Sequence, residues 1–231
     1  MNLGTAELEE KTAEARESIS LALAKKGEAC LTCSFQAEDM VMLHLLREWL
    51  PDIPVLFLET GYHFQETYRY RDEMTARYKL NLVNLFPELT VPEQESRFGL
   101  LYQAEPDECC KLRKVRPLFR ALERYDVWFT GLRRVQSPTR AGLKVLDRFA
   151  LPSGRELLKV NPLAGWLDRD VWEFARAHEI PLLPLYARGF TSIGCEPCTA
   201  LPSEAANPRS GRWAGRKLEC GIHIAGVSEV R

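Results

Sequence analysis

Apolar and polar positions fall into blocks along the chain. Residues 5–26 are charged on most sides and run into Gly27, which predicts a helix with a glycine at its C-cap. Residues 28–35 read as a strand. Residues 37–50 predict a helix with Met40, Val41, Leu43, Leu45 and Leu46 on its buried side and Pro51 as its stop. The short apolar run 54–58 is that of a strand covered on both faces. A helix over 64–79 and a strand over 81–86 come next, with further strands at 126–131 and 156–160. From Asp168 a helix places Val171, Phe174, Ala175 and His178 on one packing stripe. This alternation predicts an α/β domain on a mostly parallel sheet with helices on both faces. After Ala200 the pattern breaks at Pro202, Pro208, Gly211 and Gly215, and Arg209, Arg212, Arg216 and Lys217 make the segment basic. The chain therefore divides into a domain over 1–200 and a mobile C-terminal arm over 201–231.

Composition narrows the class. A chain of 231 residues, 45% hydrophobic and 27% charged, can bury one sizeable core. A net charge of −1 supplies no global field for nucleic acid or anionic lipid, so neither is expected as a partner. The acidic start lacks a secretory apolar run, and no stretch approaches the roughly 20 apolar residues that span a bilayer. A cytoplasmic, reducing location is therefore expected. There, seven cysteines, an odd number, point to metal binding or catalysis rather than structural disulfides.

Those cysteines sort into sets. Cys109-Cys110 comes after Asp107, a good N-cap, so both thiols are expected in a first helical turn, where the helix dipole favours thiolates. Lys114 lies four residues beyond Cys110, hence on the same face. Gly194-Cys195-Glu196-Pro197-Cys198 is a tight Cys-x-x-Cys knuckle that alone suits zinc, a cluster or a redox disulfide. Taken with the adjacent pair it completes four ligands, and an iron–sulfur cube accommodates neighbouring residues better than tetrahedral zinc does. Cys30 and Cys33 fall on opposite faces of a strand and read as core thiols, which weakens the alternative of a zinc site made with Cys220 and His223. Cys220, beside Arg216, Lys217 and His223, has the surroundings of a nucleophile.

Three loops come directly after strands. Ser34-Phe35-Gln36-Ala37-Glu38-Asp39 opens a helix, where free backbone N–H groups can take an anion, although it is no Walker A loop. Leu58-Glu59-Thr60-Gly61 succeeds the second strand and should share its crevice. Residues 131–140 carry Arg133, Arg134 and Arg140, which with Arg209 and Arg212 suggest an oxyanion site.

Together, Ser34–Asp39, Leu58–Gly61, Cys109–Lys114, Gly131–Arg134, Gly194–Cys198 and Glu219-Cys220-Gly221-Ile222-His223 resemble the assimilatory adenylyl-sulfate reductases, relatives of the phosphoadenylyl-sulfate reductases. The likeness runs in order over residues 28–223. It implies an adenine-nucleotide α-hydrolase-like fold and a [4Fe–4S] cluster on Cys109, Cys110, Cys195 and Cys198. It further implies that Cys220 attacks the sulfur of adenylyl sulfate, releasing AMP, and that thioredoxin reduces the thiosulfonate to free sulfite for cysteine synthesis. Ser34, Phe35, Leu58 and Gly61 would take the nucleotide. Arg133, Arg209, Arg212 and Lys114 would offset charge on sulfate and phosphate, and His223 would keep Cys220 ionised. Two positions depart from the family pattern: Glu59 stands where Asp is common, and Gln36 where a small residue is. The rival readings are a phosphoadenylyl-sulfate or dual-substrate reductase, an ATP-pyrophosphatase-type adenylating enzyme, and a nucleic-acid-binding metal protein. A homo-oligomer is left open.

Overall fold

Six strands and eight α-helices account for most of the domain in a computed structural model, which describes residues 3–25, 27–204, 207–217 and 219–223. Helix α1 (Leu3–Leu23) leads to β1 (Ala29–Thr32) and α2 (Ala37–Leu46), then β2 (Pro54–Leu58), α3 (Gln65–Tyr78) and β3 (Asn81–Leu85). Helices α4 (Val91–Phe98), α5 (Leu101–Ala104) and α6 (Pro106–Cys110) come next; a π-helical stretch, Lys111–Val115, joins α6 to α7 (Arg116–Leu122). The chain continues through β4 (Val127–Phe129), β5 (Leu146–Ala150), β6 (Glu156–Val160) and α8 (Asp168–Ala177).

The sheet order is β3-β2-β1-β4-β6-β5, parallel throughout except for β5, which pairs antiparallel with β6. The expected elements are present with shorter ends. Helix α2 stops at Leu46 because its next amides, from Glu48 and Trp49, tighten to bonds three residues back ahead of Pro51. The edge strand β5 and helix α4 were not expected. In β5 only Phe149 is buried, so no alternation marks it. Helix α4 is polar, and its signal is the Thr90–Glu93 capping box.

Two apolar layers cover the sheet. Helices α1, α2, α3 and α8 pack over Leu31, Val55, Phe57 and Phe129. Helix α7 packs over Cys30, Leu56, Trp128 and Leu157 on the opposite face. Cys30 and Cys33 thus belong to different layers, as a strand offset of three requires; burial pushes both thiols up, and they share no metal ion. Phe174 is fully buried between Trp166 and the rings of His44 and His178. Phe174→Ala should cost about 3–5 kcal/mol, read from urea unfolding; a change below ~1 kcal/mol would mean that this layer closes over the gap.

Strand order reverses between β1 and β4, since β1 leads outward to β2 on one side while β4 lies on the other. Ligands of such sheets sit beyond the carboxyl ends of the strands at that point. Gly131, just past β4, permits the close approach there: a Cβ would fall 2.5 Å from Asp39 Oδ1.

Candidate active site

A cavity of about 200 Å³ opens at that crevice. Its floor is the end of β1 with Ser34, its sides are Leu58 and the loop after β4, and its roof includes Arg209, Arg212, Cys220 and His223. A second, smaller cavity adjoins it, lined by Cys109, Cys110, Cys195 and Cys198 together. Lys114 and Trp213 lie on the walls of both. All four of those cysteines are buried, and Cys220 packs against Cys195, Cys198 and Trp213.

Local folding explains the thiol cavity. Cys109 and Cys110 end α6, which starts at Pro106; Asp107 lies inside the first turn and is not its cap, because Pro already tolerates that N-terminal position. The wide π turn then carries Lys114 inward. Cys195 is fixed by a backbone bridge to His63 and by Glu196 N–H donating to Tyr62 O at 2.7 Å. Gln36 accepts from Ile193 N–H at 2.8 Å and so ties the first loop to the Cys-x-x-Cys knuckle. Around the sulfurs, Thr60 Oγ1 lies 3.3 Å from Cys195 Sγ, and Gln94 Nε2 donates to Cys109 Sγ at 3.9 Å. The expected ease of ionisation is reversed: burial, then the neighbouring thiols, push Cys109 up to about 11, and burial also raises Cys110. A metal group on these sulfurs would remove that penalty.

Burial opposes charge on Lys114, yet the neighbouring sulfurs of Cys195, Cys110 and Cys220 hold its ammonium above the usual lysine range. Among the described residues, no carboxylate pairs with Lys114 or Arg212. Arg212 donates from Nε to Cys198 O at 3.3 Å and from Nη1 to Ser192 Oγ at 3.4 Å, with its guanidinium 4.3 Å from the Trp213 ring. Burial lowers its pKa, and it lowers that of Arg209 to about 10. Arg209 lies 3.8 Å from Glu219 and donates to Ser192.

Other expected contacts are placed differently. Phe35 is not on the cavity wall; at φ +60° it turns the chain and buries its ring against Phe57 and Tyr70. Gly61 faces Val91 and Arg113, outside the cavity. Arg133 lines it, but its guanidinium is taken by Glu38 and Asp168, each at 2.7 Å. Arg134 donates to Leu143 O, and Arg140 to Glu219, so the three-arginine loop is engaged with protein groups. In the first loop, Asp39 accepts from both the N–H and the hydroxyl of Ser34 at 2.6 Å, and Tyr186 takes the Ala37 N–H. Of the helix N-terminal amides the Ala37 N–H is therefore already taken, while Asp39 holds the Ser34 N–H ahead of the helix; burial pushes Asp39 up to about 6. The Leu58 carbonyl is used by His63 Nε2 at 2.8 Å. His223 stacks on Trp128 at 5.5 Å, and burial, then the charge of Lys159, holds its ring neutral, so it has no positive charge to lend Cys220.

Two residues of the site were missed from the sequence. Arg113 is buried under Tyr62, donating to Thr60 O and to Gln94 Oε1 at 3.0 Å, and it props the loop beside Cys195. Its place one residue before Lys114, in a turn with two thiols, was the available signal. His63 lines the large cavity, with burial lowering its pKa to about 4; its signal was its position in the loop after β2.

Residues 28–201 match the phosphoadenosine phosphosulfate reductase domain. An adenosine 5'-phosphosulfate reductase of Mycobacterium tuberculosis (strain H37Rv) is 46% identical over 200 residues, covering 84% of this chain and 78% of the relative. A crystal structure of phosphoadenylyl-sulfate reductase from Candida auris, a phosphate complex, superposes with a TM-score of 0.70 at 25% identity, over 80% of this chain and 90% of that one. Yeast FAD synthetase in complex with FAD shares the fold alone, at 18% identity and a TM-score of 0.65 over 88% and 70% of the two chains. The sheet is thus the adenine-nucleotide α-hydrolase-like one that the sequence led us to expect. With three quarters of its length matched to one domain and 46% identity to a curated relative over 200 residues, the chain belongs to the phosphoadenosine phosphosulfate reductase family.

Proposed function

We propose that this chain reduces adenylyl sulfate to sulfite and AMP, with Cys220 as nucleophile and a thioredoxin-type dithiol as reductant, in sulfate assimilation toward cysteine in the cytoplasm. The observation that carries the reading is the seat of Cys220: it lies on the wall of the crevice cavity and packs against two thiols of the adjoining one, with Lys114 on the wall of both. The relatives named for adenosine 5'-phosphosulfate favour that nucleotide over its 3'-phosphorylated form. No helix among the described residues is long and apolar enough to cross a membrane.

The chemistry balances with these groups. The Cys220 thiolate attacks the sulfur of the mixed anhydride, the S–O bond breaks, and AMP departs with the bonding pair, leaving an enzyme thiosulfonate. Lys114 and Arg212 offset the charge that this approach brings together. One thiol of the reductant then attacks Cys220 Sγ and displaces sulfite; its second thiol closes the disulfide and returns Cys220 to the thiol. Both electrons come from the dithiol. Ser34 and Leu58 are read as nucleotide contacts, and residues 201–231 as the arm that covers it; residues 205, 206, 218 and 224–231 of that arm lie outside the described residues.

The donor set suits a [4Fe–4S] cluster. Four thiols surround one cavity, a hydroxyl and an amide point at two of the sulfurs, and a buried cation stands beside them without a carboxylate among the described residues. Cys109, Cys110, Cys195 and Cys198 would hold it, and when bound it would supply a rigid charged anchor for α6 and the knuckle.

The test is intact mass after adenylyl sulfate without reductant, with Cys220→Ser alongside. A sulfonate-sized gain in the parent and none in the variant is the expected pair of results. No gain in a parent with its iron intact would reject the reading and turn attention to the 3'-phosphorylated nucleotide.

A further inference from the structure

Gln36 heads helix α2, yet its side chain makes no capping bond to that helix. Both ends of its carboxamide are engaged elsewhere. Oε1 accepts from the Ile193 N–H at 2.8 Å, and Nε2 donates to Ser34 Oγ at 3.1 Å. The partners fix which way the amide faces: a backbone N–H only donates, so the oxygen lies toward Ile193 and the nitrogen toward Ser34. A small residue, the commoner choice at this place in the family, could make neither bond.

The two partners belong to different parts of the site. Ser34 lies on the cavity floor, and its N–H and hydroxyl both donate to Asp39 at 2.6 Å. With its proton directed to Asp39 and one lone pair taken by Gln36, the hydroxyl keeps one lone pair for a donor group on the nucleotide. Ile193 belongs to the irregular stretch 191–194, which lines the same cavity and runs into Cys195. The basic segment also holds that stretch. Thr191 Oγ1 donates to Pro208 O at 2.6 Å, and Ser192 Oγ accepts from Arg209 and Arg212 at 3.4 Å each. Ile193 is buried, so without Gln36 its N–H would lose an acceptor with little water to replace it. One side chain thus links the nucleotide loop to the stretch that carries Cys195 and lies against Arg212.

We propose that Gln36 is a positioning residue that couples the nucleotide loop to the cysteine knuckle: a nucleotide seated on Ser34 firms residues 191–195 through the Gln36 carboxamide. The identity of that nucleotide rests on the function proposed above. In the free protein the loop and the knuckle open locally. A bound nucleotide holds the Ser34 hydroxyl, the hydroxyl holds Nε2, and the bond from Ile193 to Oε1 opens less often. The wall bearing Arg212 and Cys195 is therefore firmest when substrate is in place. Because the open form is rare in either case, loss of the coupling weakens AMP binding little.

The experiment compares anaerobically purified wild type, Gln36→Met and Gln36→Glu by amide hydrogen exchange read by peptide mass, with and without saturating AMP. AMP should slow exchange over 191–195 about tenfold in wild type. Gln36→Met keeps the length and removes both bonds: exchange there should be about tenfold faster without AMP, and AMP should no longer slow it. AMP affinity, protection of residues 58–61 by AMP and the melting temperature should stay near wild type. Gln36→Glu keeps an acceptor for Ile193 and has no donor for Ser34. Its exchange without AMP should match wild type, while the AMP-dependent slowing is lost. Retained slowing by AMP at 191–195 in both variants would overturn the coupling and leave Gln36 a local support. Wild-type exchange without AMP in Gln36→Met would remove the tie itself. If AMP does not bind wild type, the functional reading fails, and the nucleotide-free comparison still judges the bond to Ile193.

Discussion

Lys114→Met is expected to slow sulfonation of Cys220 by about 10²–10³-fold, with AMP affinity and iron content kept. Met matches the length and apolar volume of the lysine stem, so the packing around a buried position is retained. What goes is the ammonium on the wall of both cavities. A thiolate moving toward a sulfonate brings like charges together. In a site closed to water, a fixed cation beside that path stabilises the transition state more than the ground state. Rapid-quench intact mass measures the rate, and iron and sulfide assays check the proposed metal site. An unchanged rate would remove Lys114 from the chemistry. Loss of iron at unchanged fold would make it a support for the thiols instead.

Gly194→Ala is expected to lower sulfonation by about 10²-fold while moving the melting temperature little. A Cβ at this position would stand 2.1 Å from Nη2 and 2.7 Å from Cζ of Arg212. The atoms in the way belong to the end of a flexible side chain, so the backbone need not shift and the fold survives. The guanidinium, however, must leave its place against Cys198 O, Ser192 Oγ and the Trp213 ring. Activity should therefore fall with the position of one group rather than with the stability of the whole. Near-normal turnover in a variant of normal melting temperature would show that Arg212 is not needed at that place.

The sequence showed the elements that bury both faces and concealed those that do not. The runs at 54–58 and 127–129 are apolar, and 29–32 nearly so, because helices cover them on both sides, and the parallel sheet could be inferred from that. Strand β5 escaped because it has a single buried side chain. In the site, the cysteines were legible because few roles suit an adjacent pair and a Cys-x-x-Cys knuckle, and the structure gathers the four around one cavity. The cations were not. Arg133, Arg140, Lys114 and Arg212 look alike along the chain, and only tertiary packing separates them: the first two face carboxylates from distant segments, and the last two face none among the described residues. The loop 34–39 is a similar case: along the chain its amides all look open to an anion, and only packing shows that Asp39 holds the Ser34 N–H and Tyr186 the Ala37 N–H.

The π turn at Lys111–Val115 bears on how such a site could arise. An α-helix gains a wide turn when one residue is inserted, and the part upstream then rotates by about 100° relative to the part downstream. Helix α7 keeps Leu118, Phe119 and Leu122 on the sheet, as any ordinary packing helix would. Ahead of it, the two thiols of α6 face the knuckle and the lysine lies between the cavities. A plain scaffold helix and a cysteine-bearing segment thus occupy one continuous rod, offset in phase by a single residue. Where the four thiols meet thus depends on the length of this rod as well as on the residues it carries.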